Sequence, residues 1–179
     1  KSKNLAKGAI ATHIFETPGQ YTVRLTIEDG SGVLETESFS INVIDPDTQY
    51  AGENTIVVST NNDFTGAPAG AQQVVTSDLN TLTNYAGPGK RILLARGSEW
   101  TTGEIRFNDN AGPFTLGAFG TGAKPRINVT GSRLMSVHDM QDWRIMDLSL
   151  RNSAKSGSII TGGQNVQRVL MYRLDSVGF

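Results

Sequence analysis

Trp143-Arg144-Ile145-Met146-Asp147-Leu148-Ser149-Leu150-Arg151-Asn152 is the stretch whose reading decides the fold. Its apolar residues fit neither the spacing of one helical face nor an ordinary hairpin strand. Ile145, Leu148 and Leu150 read as inward, Arg144, Ser149 and Arg151 as outward, and Met146-Asp147 as the tight bend between two short strands. The stretch also recurs. Sliding the chain along itself sets Ile145 on Val169, Leu148 on Tyr172, Leu150 on Leu174 and Asn152 on Ser176. The same shift sets Leu134-Met135-Ser136-Val137 on Ser158-Ile159-Ile160-Thr161, with a slip of one residue between Trp143 and Val166. A period of about 24 residues with three short strands per turn suits a right-handed parallel β-helix. There each coil buries its inward side chains against the coils above and below. One consequence is specific: Arg151 and Asp175 are expected as neighbours on adjacent coils.

Upstream, Phe114-Thr115-Leu116 and Ile127-Asn128-Val129 are further short apolar bursts. Thr55-Ile56-Val57-Val58-Ser59 reads as a strand and Asn61 to Pro68 as a loop. Leu79, Leu82 and Ala86 follow Ser77, which is placed as an N-cap, so a short amphipathic helix is expected there, ended by Gly87-Pro88-Gly89. Arg91-Ile92-Leu93-Leu94-Ala95 is a compact strand closed by Arg96-Gly97. The runs TIVVSTNNDFTGAP, SDLNTLTNYAGPGKRILLARGSEW and NAGPFTLGAFGTGAKPRI together resemble the opening of pectate-lyase-like β-helix proteins. The resemblance covers roughly residues 54 to 179, and Pro113 to Pro125 is its most specific part. It implies that the short helix caps the open end of the hydrophobic column. The cofactor stays unknown: calcium enters by the resemblance only, since such enzymes hold it on carboxylates of middle coils beside a catalytic Arg or Lys, and this chain supplies only the first coils. No position here matches such a motif, so no catalytic residue is carried over. Val177-Gly178-Phe179 falls inside a repeat, and further coils are expected beyond it.

The first stretch has a different period. Tyr21, Val23, Leu25 and Ile27 alternate with Thr22, Arg24, Thr26 and Glu28, the period-2 pattern of a strand with one buried face. Asp29-Gly30-Ser31-Gly32 is a turn, and Phe39, Ile41 and Val43 alternate in a second strand. His13-x-Phe15, Pro18-Gly19-x-Tyr21-Thr22-Val23 and this hairpin resemble the second half of a polycystic-kidney-disease-type (PKD) β-sandwich, over roughly residues 8 to 45. Such domains carry earlier strands and an aromatic-Asp-Phe-Gly-Asp-Gly-type segment, so the chain is expected to be a fragment, or to take those strands from elsewhere. The expected organisation is a half sandwich over residues 1–46, a polar linker over 47–54, and the first coils of a β-helix over 55–179. The fold class is all-β: a partial PKD-like, immunoglobulin-like sandwich plus a right-handed parallel β-helix with a short N-terminal capping helix.

Composition bounds the function. The 179 residues include no cysteine, which excludes disulfides, thiolate metal sites and a cysteine nucleophile. Lys and Arg total 16 against 17 Asp and Glu, a net charge of -1 that gives no support to a nucleic-acid or anionic-membrane partner. No run reaches the roughly 18 apolar residues of a membrane span. Lys1 to Ile10 lack the apolar core and cleavage site of a signal peptide.

Four residues are candidates for carbohydrate contact: Trp100, Arg106, Arg144 and Arg151, since indoles stack on sugars and guanidinium groups donate to hydroxyls. His138-Asp139 with Asp142 and Asp147 is the densest acid and histidine cluster, and a polar inter-coil turn is preferred to a metal or general-base site. Asn108-Asp109-Asn110-Ala111-Gly112 lacks the ligand series of a calcium loop and reads as a turn. His13 is given a structural role, and Asn128-Val129-Thr130 fits the glycosylation acceptor pattern. The expected function is a carbohydrate-engaging binding or structural module of an extracellular or cell-surface protein. The alternatives are a polysaccharide lyase or glycoside hydrolase with its active site in other coils, and a self-assembling filament or adhesin component. Expected partners are a polysaccharide and either the rest of the same chain or other copies.

Overall fold

The computed structural model describes residues 5–9, 13–107, 111–137, 139–153 and 157–178. Two compact units divide the chain, Lys1–Gln49 and Tyr50–Phe179. In the first, strands β1 (Gly19–Asp29) and β2 (Gly32–Val43) form an antiparallel hairpin. Its register places Tyr21 opposite Ile41 and Val23 opposite Phe39 on one face. The other face pairs Thr22 with Ser40, Arg24 with Ser38 and Thr26 with Thr36. The Asp29 carboxylate holds the turn by accepting from the Ser31 hydroxyl (2.6 Å) and amide (2.7 Å). Those two bonds keep its carboxyl below the usual carboxylate range. Phe15 packs on the Tyr21 ring at 4.6 Å, and His13 meets Phe15 edge-on at 4.6 Å, a packing role as expected. The unit closes with one helical turn, Pro46–Gln49, capped by the Asp45 carboxylate on the Asp47 amide (2.8 Å).

Among the described residues, the second unit is built from thirteen short strands. They are β3 (Thr55–Ser59), β4 (Gln72–Val75), β5 (Lys90–Ala95), β6 (Glu99–Thr102), β7 (Ile105–Phe107), β8 (Ala111–Phe119) and β9 (Arg126–Val129). After these come β10 (Arg133–Val137), β11 (Gln141–Met146), β12 (Ser149–Asn152), β13 (Ser158–Gly162), β14 (Gln167–Tyr172) and β15 (Asp175–Val177). They stack as three parallel sheets: six strands in the order β14-β11-β8-β5-β3-β4, four in the order β15-β12-β9-β6, and three in the order β13-β10-β7. The result is a parallel β-solenoid of about three turns, with the ladder hydrogen bonds running between coils. Inward side chains fill its column. Phe107, Phe114 and Trp143 meet there at 4.1 to 6.5 Å between ring centres, with Ile92, Leu94, Leu116, Ile127, Ile145, Leu148 and Leu150 buried around them.

Between the last two coils the step is longer than the sequence estimate. Trp143 pairs with Val169 and Ile145 with Met171, whereas the sequence alignment set Ile145 on Val169. On the three-stranded sheet Met135 pairs with Ile160, a smaller displacement from the estimate, so the coil length varies around the column. Ser149 therefore lies beside Asp175 and Arg151 beside Val177, so Arg151 and Asp175 are not the expected partners. The longer step recurs at the corners. Asp139, Asp142 and Asp147 take positive φ (52°, 57° and 61°), and Asn165, Arg168 and Arg173 do so one coil on (58°, 52° and 52°). Asp139, Asp147, Asn165 and Arg173 lie between strands, whereas Asp142 and Arg168 lie inside β11 and β14; Asp and Asn tolerate this left-handed region best. A burial pattern in which every coil is apolar inside matches itself at several offsets, and only backbone pairing fixes one.

Near Thr55 the column is closed by a 3-10 helix, Leu79–Asn84, in place of the expected helix capped by Ser77. Asp78 caps it, its carboxylate accepting from the Asn80 amide at 2.9 Å. The Thr81 and Thr83 hydroxyls donate to the carbonyls of Asp78 and Asn80 (2.8 Å each), local bonds that favour the tighter turn. Leu79 and Leu82 are buried in the column and the helix packs on β6 and β7. A second, smaller cluster lies outside the six-stranded sheet. The outward Val57, Leu93, Ala95 and Phe119 are covered by Phe64, Ala67 and Ala71 of the loop after β3. That roof explains why Ile92 to Ala95 form an unbroken apolar run: β5 is buried on both faces.

Candidate functional site

The structure separates the four candidate contact residues. Trp100 faces the column, 2% exposed, and its indole N–H donates to the Thr76 carbonyl at 3.0 Å. It anchors the capping segment and presents no ring face to a sugar, which corrects its reading as a contact residue. The three arginines sit on β7, β11 and β12, which belong to three different sheets, so they face three directions. Arg106 is 73% exposed and pairs with Glu104 (3.3 Å). Arg151 is exposed beside Asn128 on β9. On that face Glu99 is shared by Arg126 (3.2 Å) and Asn128 (2.6 Å). Arg144 pairs with Asp142 at 3.0 Å, the two side chains 38% and 33% exposed.

The acid cluster disperses into separate pairs. Asp139 accepts from the Asn165 amide (2.7 Å), one coil on. Asp147 accepts from Arg173 Nε (2.8 Å) and Nη2 (2.7 Å), and Arg96 Nη2 lies 3.5 Å from it. Asp139 and Asp147 are bend residues, each tied to its own partner, whereas Asp142 lies within β11 and pairs with Arg144 of the same strand, a departure from the turn reading. His138 and Asn108 to Asn110 lie outside the described residues. Among the described residues no group of three or more His, Asp or Glu is placed to hold a metal, so these donors do not fit the calcium implied by the pectate-lyase-like resemblance.

The best-defined surface is the outer face of the six-stranded sheet. Two rows cross it from strand to strand. One runs Thr55, Arg91, Thr115, Arg144, Leu170; the other runs Val57, Leu93, then Gly117, and on its far side pairs Met146 with Tyr172. One end of the face is roofed. Arg91 is 5% exposed, with its guanidinium 5.6 Å from the Tyr50 ring centre and its Nε bonded to the Thr55 hydroxyl (2.6 Å). The loop carrying Phe64 roofs Leu93. That loop is pinned by Asp63, which accepts from the Thr65 amide at 2.9 Å; this bond and one from the Thr65 hydroxyl hold its carboxyl below the usual range.

Beyond the roof Gly117 is buried, with Leu93 and Met146 closing over it, and the exposed part of the sheet lies further along, on β11 and β14. Here the face opens. It presents the Arg144 and Asp142 pair, Leu170, Met146 and Tyr172, the last with Arg173 stacked on its ring at 4.7 Å. Arg144 Nη1 is enclosed and has no acceptor among the described residues. Sequence reading found Arg144 and, in a separate cluster, Asp142, but not Leu170, Met146 or Tyr172 as parts of one surface. Met146 and Tyr172 are distant in the chain, and only the true coil length brings them side by side.

Residues 3–43 match the PKD domain family. No curated protein and no solved structure gave a significant match to the chain. The family match lies in the hairpin unit.

Proposed function

We propose that the chain belongs to an extracellular or cell-surface modular protein whose solenoid engages carbohydrate as a binding or structural module. A PKD-type unit followed by a second compact unit gives the modular organisation, and PKD domains suggest an extracellular setting. One observation carries the carbohydrate reading: the open part of the six-stranded sheet sets a guanidinium and a carboxylate beside Met146 and Tyr172. Sugars need both kinds of contact, polar groups for hydroxyls and apolar or aromatic surface for the C–H faces. The fold leaves these groups on a strand-built surface rather than on a loop, which favours a preorganised contact.

The test is retention of the full chain on a panel of insoluble polysaccharides, with Arg144→Ala as the comparison. Binding by the parent chain that drops about tenfold or more in the variant supports the reading, the size expected for lost bonds from a charged donor. Retention on none of the panel sinks it. The same samples incubated with soluble polysaccharide report cleavage, and release of oligosaccharides would move the protein to the lyase or glycosidase class.

A further inference from the structure

We infer that this open face takes an uncharged glycan, held through two adjacent hydroxyls by Arg144 and Asp142. The inference rests on the carbohydrate reading and adds the class of polymer. Its basis is the state of the charges. Arg144 has its cation neutralised at 3.0 Å by Asp142, two residues earlier on the same strand. Of the other arginines near this face, Arg91 lies 5% exposed under Tyr50 and Arg173 spends two donors on Asp147, which Arg96 also approaches at 3.5 Å, while Arg168, between Gln167 and Val169 on β14, is exposed. A carboxylate on the ligand would compete with Asp142 for one guanidinium and meet the Asp142 charge at close range.

Neighbouring hydroxyls make no such conflict. Each hydroxyl both donates and accepts, so one accepts from Arg144 while the next donates to Asp142. Arg144 has donors left over. Nη2 serves Asp142, whereas Nη1 is enclosed without an acceptor among the described residues, an arrangement that disfavours leaving the group as it stands. The side chain is 38% exposed, so a small rotation brings Nη1 to an incoming oxygen. Leu170 beside Arg144 and Met146 beside Tyr172 give the apolar surface for the sugar ring.

Affinity electrophoresis of the full chain tests this, with soluble β-glucan, xylan and galactan as neutral probes and polygalacturonate as the acidic one. The expected result is retardation by at least one neutral polymer and not by polygalacturonate, unchanged between about 0.05 and 0.5 M salt because no net charge is matched. Arg144→Ala should weaken that retardation about tenfold or more, while Arg106→Ala on the three-stranded sheet leaves it unchanged. Asp142→Asn removes the carboxylate, keeps an acceptor and tolerates the positive φ, so it should gain retardation by polygalacturonate. A lost fold could not produce that gain. Retardation of the parent chain by polygalacturonate alone would overturn the inference and leave the carbohydrate reading standing. An Asp142→Asn variant indifferent to polygalacturonate would also overturn it. Retardation by no polymer at all would overturn both.

Discussion

Gly112 shows how little room single residues have between coils. A Cβ at this position would collide with the backbone carbonyl oxygens of Gln141 and Asp142 on the next coil, whereas one at Gly103 would meet nothing within 4 Å. Gly112→Ala should therefore cost about 1–3 kcal/mol, as other overpacking changes do, and Gly103→Ala should stay within about 0.5 kcal/mol of the parent. Urea denaturation of the two variants measures the difference. Asp63 gives a pH signature at the same scale. Its carboxyl is held low by the Thr65 amide and hydroxyl, so the folded state favours the ionised form. The contribution is complete above the ordinary carboxylate value of about 3.9 and is lost as the pH falls through the lower, folded value. Thermal melts should show a stability gap between the parent and Asp63→Ala that is steady above about pH 5 and closes in acid. A gap that widened on acidification would contradict the assignment. Trp100 marks the limit of reading residues singly: an indole on a polar, glycine-rich chain suggests a sugar platform until its N–H is seen on the Thr76 carbonyl.

Among the elements, the corner after β11 ties together residues of three coils. Asp147 takes both bonds of Arg173 from the next coil and lies 3.5 Å from Arg96, which precedes β6. Asp147→Ala strips the carboxylate from two guanidinium groups and places an alanine in the left-handed region. A loss of about 2–4 kcal/mol is expected, counting roughly 1–3 for the bonds and about 1 for the backbone. Asp147→Asn keeps an acceptor and tolerates the positive φ, so it should lose clearly less. Guanidinium denaturation midpoints rank the two, and equal losses would refute the backbone share. The capping element is a 3-10 helix for a local reason, its threonine hydroxyls turning back onto the carbonyls of Asp78 and Asn80. Its two leucines carried the correct burial signal all the same, since Leu79 and Leu82 lie on one side in either kind of helix.

For the molecule as a whole, stability in a stack is graded by neighbours. In the six-stranded sheet β5, β8 and β11 each have a strand on both sides, whereas β4 and β14 have one. Amide hydrogen exchange should be slowest in β5, β8 and β11 and fastest in β4 and β14, with protection falling outward from the centre. Faster exchange in β8 than in β14 would contradict the stacking order. At this scale the sequence by itself determined the inward residues from Ile145 to Leu150, the bend at Met146-Asp147, and the hairpin of the PKD-type unit. These are local consequences of side-chain alternation and turn chemistry, and the structure keeps Ile145, Leu148 and Leu150 buried as that alternation requires. Only the tertiary structure decided the pairing of Ile145 with Met171 between β11 and β14, the burial of Trp100, the roof that makes β5 apolar on both faces, and the placing of Arg106, Arg144 and Arg151 on separate sheets. The reason is physical: in a solenoid a side chain is buried by residues a whole coil away, and coils of unequal length leave no fixed period from which to read which residues those are.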